Sequence, residues 1–389
     1  MAKFYEDTVI NLDSSISTCA ILLDLSKAFD SVDRSILLFK LYNYGVRGNT
    51  YSLIESYLEG RTQYIQSEDI VSNVVKVNVG VPQGSILSPL LFLIMINDLK
   101  NCSDFNIINF ADDTLLYFRF KSTENVNNKL NNELQKINNW MQENHLKLNI
   151  SKSKFMVFSP SNNINKHINI KLKLENGEEL EQVRKYKYLG LILDDQLNWK
   201  EHIIFLRKKL SKSLGLLFKI RHFVKKQTLL MILHSIFLTH IRYGILCWGR
   251  GNKTTLQPIH ILLNRAIRCI NFYKGKEGLT TKLYIKDNLL KAQEIFNLEL
   301  AKFMYKFFNK LLPETFSSYF TLSKNIHLHN TRNIQNKLFV PRTQKNIGQK
   351  SISFMGTQLW NTIPQQIRSN KNLNLFIKQY KIYLIKQYS

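Results

Sequence analysis

Two adjacent aspartates, Asp112 and Asp113, lie between apolar arms at Ile107–Phe110 and Thr114–Phe120. Apolar arms around a short acidic break predict a β-hairpin with its tight turn at Ala111-Asp112-Asp113. A hairpin is marginal in water by itself and needs a sheet to join. The run Cys19–Leu25 reads as a buried strand that could supply one, and it contains a third acid, Asp24, near its end. Both elements can present carboxylates to one point on a sheet surface. An Asp-Asp pair alone is often no more than a turn. Coupled to Asp24, it predicts a site.

The rest of the first 200 residues alternates helix and strand signals. Helices are expected at about 31–44, 49–58, 88–99 and 123–146. The last shows the clearest stripe, with Val126, Leu130, Leu134, Ile137 and Met141 at steps of four, four, three and four. Thr123 is its candidate cap, Gly45 caps the first helix, and Ser88-Pro89 opens the third. Strands are expected at Gln63–Ile65, Val74–Val79, Lys154–Phe158, Lys171–Leu174 and Tyr186–Leu193. Residues 1–18 read as a short polar run without a helix start, and 159–170 as a Ser/Asn-rich loop. After Trp199 strands become scarce. Helices are expected at about 200–225, 226–247, 256–272, 288–311 and 373–385, with a polar, loop-rich stretch at 320–352.

Charge divides the chain in the same place. Residues 1–160 hold 15 Lys/Arg and 17 Asp/Glu, and residues 161–389 hold 39 and 12, so the second part accounts for the whole net charge of +25. A field of that size attracts a polyanion, with nucleic acid ahead of an anionic membrane surface. Cys19, Cys102, Cys247 and Cys269 form no metal-binding spacing and read as buried free thiols in a reducing compartment. The apolar stretch Leu229–Trp248 contains His234, His240 and Arg242 and reads as a buried helix. The expected location is intracellular, in nucleus or cytoplasm, without secretion or membrane insertion.

Three blocks stand in order: Leu23-Asp24-Leu25-Ser26-Lys27-Ala28-Phe29-Asp30, Gly80-Val81-Pro82-Gln83-Gly84-Ser85 and Phe110-Ala111-Asp112-Asp113. With this order and spacing the chain resembles the reverse transcriptases of non-LTR retrotransposons, LINE-type and most like the jockey group. Viral RNA-dependent RNA polymerases carry a Ser-Gly block followed by Thr and Asn instead of Pro-Gln-Gly. Leu148–Lys154, Tyr188-Leu189-Gly190, Ile261–Arg268 and Leu359–Pro364 resemble further blocks of such elements. The resemblance runs from about residue 18 to the C-terminus and is motif-specific to about residue 200.

The resemblance implies an RNA-directed DNA polymerase that joins a primer 3′-hydroxyl to a nucleotide α-phosphate. Two Mg²⁺ ions, with Mn²⁺ as the alternative, would stabilise the attacking and leaving oxygens. Hard oxygen donors suit such ions. Asp24 and Asp112 are the implied principal ligands, Asp113 supports the hairpin strand, and Leu25 lends a backbone carbonyl. Phe29 matches the gate that favours deoxynucleotides, or is an ordinary core ring. Gln83 and Gly84 lie in a loop that packs on nucleotide and template base, or form a helix-entry turn. Lys152 matches a proton donor to pyrophosphate, or is a solvated lysine. Tyr188, Leu189 and Gly190 match the primer grip. Asp30 reads as the cap of the following helix. Implied partners are an RNA template, a DNA primer, the RNA–DNA hybrid and deoxynucleoside triphosphates, while oligomeric state is not legible.

The expected fold is α/β: a reverse-transcriptase palm of antiparallel sheet backed by helices, then a helical thumb and a mostly helical C-terminal region. The expected domains are 1–200 (palm with partial fingers), 201–250 (thumb) and 251–389 (basic C-terminal region). Arg207, Lys208, Lys209, Lys212, Lys219, Arg221, Lys225 and Lys226 are candidates to line a duplex groove. Phe218, Phe223, Tyr243 and Trp248 read as core. The family has a long segment ahead of the Asp24 strand, and about twenty residues precede Asp24 here. The expectation is therefore the C-terminal part of a larger, N-terminally truncated polymerase. The alternative is a catalytically inactive, element-derived or host protein that only binds nucleic acid.

Overall fold

A computed structural model describes the chain except residues 123, 161–169, 175–176, 252, 276–279, 324–336 and 389. It divides into two compact units, Ile16–Arg184 and a second made of Met1–Ser15 with Lys185–Ser389.

The first unit is built on a five-stranded sheet. Its strands are β1 (Ser17–Leu23), β6 (Asn106–Phe110), β7 (Asp113–Phe120), β8 (Lys154–Phe158) and β9 (Glu181–Gln182), in the order β6-β7-β1-β8-β9. All neighbours are antiparallel except β8 and β9. β1 is central and buried along its whole length, which is why its sequence is a continuous apolar run rather than an alternating one. Cys19, Ile21 and Leu23 join Leu116, Phe155 and Val157 in a core completed by helices α2 (Arg34–Asn43), α4 (Ser88–Ile96) and α5 (Val126–Glu143). All five apolar positions of the α5 stripe are buried. The expected cap Thr123 lies outside the described residues. Helix α3 (Gly48–Leu58) leads into two short ribbons, β2 (Thr62–Gln63) with β5 (Val75–Lys76) and β3 (Gln66–Ser67) with β4 (Ile70–Val71).

Several expectations are corrected. Asp30 does not cap α2. Its N-cap is Asp33, whose carboxylate accepts from the Ser35 and Ile36 N–H groups. Burial opposes ionisation of Asp33, but hydrogen bonds from Ser35, His145 and the Ile36 and Ser35 amides outweigh it and hold the carboxyl at about 2. Lys171–Leu174 is no extended strand and contributes a single bridge, Lys173 to Glu179. Tyr186–Leu193 is two strands, β10 (Lys185–Tyr188) and β11 (Leu191–Asp194), because the chain reverses at Leu189-Gly190.

Residues 1–18 are also corrected, since Ala2–Asp13 forms helix α1 in the second unit. Two buried carboxylates tie it to distant sequence. Glu6 accepts from the Ile352 and Ser353 N–H groups at the start of the helix Ile352–Thr362, and Asp13 accepts from the Gln344 and Lys345 N–H groups. Each carboxylate satisfies amides that would otherwise be orphaned. The remainder of the unit is mainly helical. Lys200–Ile220 buries His202, Ile203, Leu206, Leu210, Leu214 and Leu217 on one face. The segment expected as one helix at 226–247 is broken, with a π-helical turn at Leu233–Leu238 and a stop at Tyr243-Gly244. No helix among the described residues is long and apolar enough to cross a membrane.

Candidate active site

Register brings the three aspartates to one end of the sheet. β1 pairs with β7 from Ser17 opposite Phe120 to Leu23 opposite Thr114. The ladder ends there, so Asp24 follows the last paired residue of β1 and Asp113 precedes that of β7, near enough for the Asp24 charge to act on Asp113. β6 and β7 close on each other through Phe110 and Asp113, leaving Ala111 and Asp112 as a two-residue turn. Ala111 has a left-handed backbone, φ 52°, which a residue with a Cβ adopts at a cost of about 1 kcal/mol. All three aspartates are half-buried. Burial, then the charges of Asp112 and Asp24, push the Asp113 carboxyl above the usual carboxylate range.

Asp24 is held by its own backbone. Its N–H donates to Ser153 Oγ at 3.1 Å, and its C=O accepts from Asn149 N–H at 2.8 Å. Ser26 N–H donates to Lys147 O at 2.8 Å, and Leu25 bridges Leu148 between these bonds. Neither framing bond uses the Leu25 carbonyl. Ser153 is buried and donates its own hydroxyl to Asn149 O at 2.8 Å. The same turn carries Lys152, whose Nζ stands 3.7 Å from Asp24 Oδ2 on a mostly exposed side chain. At that exposure the ion pair contributes little to stability. Sequence reasoning singled out Lys152 here and missed Ser153 and Asn149. A buried Ser in a polar turn has no sequence signal until its partner is known.

The Pro-Gln-Gly loop docks on the segment after Asp24. Val81 N–H donates to Phe29 O at 2.9 Å, and Gly80 N–H to Val32 O at 2.8 Å. The approach is so close that a Cβ on Gly80, at φ +84°, would lie 2.8 Å from Asp30 O. Only glycine fits there. Gln83 Nε2 donates to Asp30 Oδ1 at 2.7 Å, the interaction that replaces the expected helix cap. Gly84 also has positive φ, with open space around it. Phe29 is half-buried against Phe92, with ring centroids 4.9 Å apart.

Beside this loop opens a cleft of about 540 Å³, lined by Lys27, Asp30, Arg34, Arg61, Pro82 and Gln83 among others. Arg34 is fixed by donating to the Val77, Val79 and Gly80 carbonyls. Partial burial, then the neighbouring Arg61 charge, lower its pKa. These cations had no sequence signal, because Arg61 follows Gly60 in a stretch without periodicity.

Tyr188, Leu189 and Gly190 belong to the other unit. They form the reversal between β10 and β11, with Leu189 at φ 46° and Gly190 at φ 77°. Two consecutive positive φ values match the twist of a tight hairpin. Tyr243 latches the turn, its hydroxyl donating to Leu189 O at 2.6 Å. In the same unit Lys226 is corrected from groove residue to structural cation, since it pairs with the buried Asp287 and with Asn271. Trp248 is core, as expected, whereas Phe218, Phe223 and Tyr243 are exposed.

The donor chemistry suits a hard dication: the charges of Asp112 and Asp24 act on the half-buried Asp113, and positive charge would offset that repulsion. Among the described residues, no three His, Cys, Asp or Glu side chains already converge as a metal cage.

Similarity to known proteins adds to the sheet, the aspartates and the Pro-Gln-Gly loop. Residues 5–193 match the family described as "Reverse transcriptase (RNA-dependent DNA polymerase)". More closely, the chain is similar to polymerases of LINE-type non-LTR retrotransposons. It is 27% identical over 261 residues to the RNA-directed DNA polymerase from mobile element jockey of Drosophila melanogaster, covering 64% of this chain and 28% of that protein. It is 24% identical over 276 residues to the probable RNA-directed DNA polymerase from transposon X-element of the same organism, covering 69% and 30%. The chain thus spans less than a third of these relatives' length. A telomerase structure from Candida albicans overlaps 82% of this chain and 51% of its own, at 14% identity and TM-score 0.34, too distant a likeness to bear on the fold.

Proposed function

We propose that the chain carries the polymerising centre of an RNA-directed DNA polymerase of a non-LTR retrotransposon. The observation that carries this reading is that Asp24 and Asp112-Asp113 lie at the same end of the paired strands β1 and β7, with the charges of Asp112 and Asp24 acting on Asp113. Asp24, Asp112 and the Leu25 carbonyl would hold Mg²⁺ or Mn²⁺, with Asp113 as a further carboxylate. Bound there, two ions supply charge stabilisation to the attacking and leaving oxygens of an in-line displacement. Ser153 and Asn149 keep the Asp24 backbone from shifting, which matters because a misplacement of about 1 Å costs orders of magnitude in rate. Lys152, whose Nζ stands 3.7 Å from Asp24 Oδ2, would give a proton to departing pyrophosphate.

Phe29 and the Gln83-Gly84 loop would contact the incoming deoxynucleotide, with Phe29 excluding a ribose 2′-hydroxyl. Lys27, Arg34 and Arg61 give the adjacent cleft the charge to attract a triphosphate. The latched turn at Tyr188-Leu189-Gly190 would position the primer 3′-hydroxyl. In this reading 1–200 serve as palm with partial fingers, 201–250 as thumb and 251–389 as a basic C-terminal region, holding RNA template and DNA primer. Primer extension on an RNA template with Mg²⁺ and deoxynucleotides tests the reading. Extension that needs the metal and prefers deoxynucleotides is expected. Salt-dependent nucleic-acid binding with no extension would point to the inactive alternative.

A further inference from the structure

Between His202 and Lys286 the chain carries seventeen Lys/Arg and a single Asp/Glu, Glu277. The helix Lys200–Ile220 buries its apolar face and exposes Arg207, Lys208, Lys209, Lys212 and Lys219. At its C-terminal end this surface changes character. Arg221 lies over two aromatic rings, 5.2 Å from the centroid of Phe218 and 5.1 Å from that of Phe272. Its Nε donates to His222 Nε2 at 3.1 Å, and it also hydrogen-bonds Cys269. His222 in turn meets Phe272 edge-on, with centroids 5.3 Å apart. The guanidinium is therefore fixed before any ligand arrives.

The rings themselves are not core. Phe218 is 40% exposed, Phe272 48%, and Phe223, in the same turn as Arg221, 85%. Phe272 sits at φ 51°, a backbone region that bulky residues rarely adopt. One exposed phenylalanine needs no explanation, but several gathered on a surface this cationic do. Exposed aromatic rings beside backbone-neutralising cations form the arrangement that binds unpaired nucleotides. Bases stack on rings and on a guanidinium plane, while lysines follow the phosphates. Paired bases keep their faces within the duplex and cannot use such rings.

We propose that Phe218, Arg221, Phe272 and Phe223, in the unit that does not carry the aspartates, form a stacking platform for single-stranded nucleic acid. The proposal rests on the reading of the basic region as nucleic-acid-binding, and adds that part of it selects unpaired strands. The test uses the full chain with a labelled oligo-dT and a labelled duplex of equal length. Phe223→Ala and Phe272→Ala should each weaken oligo-dT binding about ten-fold, leave duplex binding unchanged, and preserve the slope of log K against log salt. Phe272→Trp should retain binding. Lys208→Gln with Lys212→Gln should instead flatten the salt slope for both ligands. Phe223 is exposed enough that its variant reports on binding rather than folding. Unchanged oligo-dT binding in both alanine variants, or equal losses for oligo-dT and duplex, would overturn the platform while leaving the broader reading intact. Failure of the wild-type chain to bind either ligand would overturn both.

Discussion

The proposed chemistry depends on backbone placement as much as on the side chains themselves. Asp24 is aimed by hydrogen bonds to Ser153 and Asn149. Ser153→Ala removes the acceptor for a half-buried N–H, a loss of about 1–3 kcal/mol. The expected result is a ten-fold or greater fall in kcat with little change in primer–template affinity. An unchanged kcat would remove Ser153 from the account. Phe29→Ala should narrow the preference for deoxynucleotides by about ten-fold, measured as the ratio of kcat/KM values for paired deoxy- and ribonucleotides. The three aspartates were legible in the sequence because short apolar arms frame them, and strand order then follows from few choices. Asp30 and Asp33 show the limit. Both precede the same helix, and only the approach of Gln83 to Asp30 decides which one caps.

Elements were legible where local periodicity matched burial and illegible where distant partners decided. The α5 stripe was readable because its repeat is the core contact itself. Leu134 is fully buried in that core, so Leu134→Ala should destabilise the protein by about 2–5 kcal/mol in chemical denaturation. Helix α1 was not readable, because its carboxylates find their partners more than 300 residues away. The strand pattern alone did not show the β10–β11 reversal, because leucine at positive φ contradicts local preference and the Tyr243 latch lies far along the chain. His202 gives the helix Lys200–Ile220 a pH signature. Burial, then the nearby Lys209 charge, lowers its pKa to about 4 from an ordinary 6.5. A lowered histidine pKa means that folding excludes the proton, so stability is full above about pH 6.5 and is lost as pH falls toward 4. The loss amounts to about 3 kcal/mol at most. Denaturation midpoints of wild type and His202→Gln, compared at pH 7 and pH 4.5, should show a smaller fall for the variant. Equal falls would place the pH sensitivity elsewhere.

At the scale of the whole molecule, the positive charge and the proposed catalytic site occupy different parts of the chain. The aspartates sit in a nearly neutral segment, and the positive field belongs to residues 161–389. Duplex binding should therefore depend steeply on salt, falling roughly a thousand-fold between 50 and 200 mM if about six phosphates are contacted. That binding should be indifferent to the aspartates. Asp112→Asn separates the two functions, because it removes one carboxylate charge at the hairpin turn and leaves the basic surface untouched. The decisive measurement is Mg²⁺-dependent primer extension on an RNA template by wild type and Asp112→Asn, with duplex affinity recorded alongside. The expected result is a roughly thousand-fold or larger loss of extension, as befits several kcal/mol of transition-state stabilisation, at unchanged affinity. Extension that survives the substitution, or affinity that falls in step with it, would contradict the assignment of Asp24, Asp112 and Asp113 as the polymerising centre.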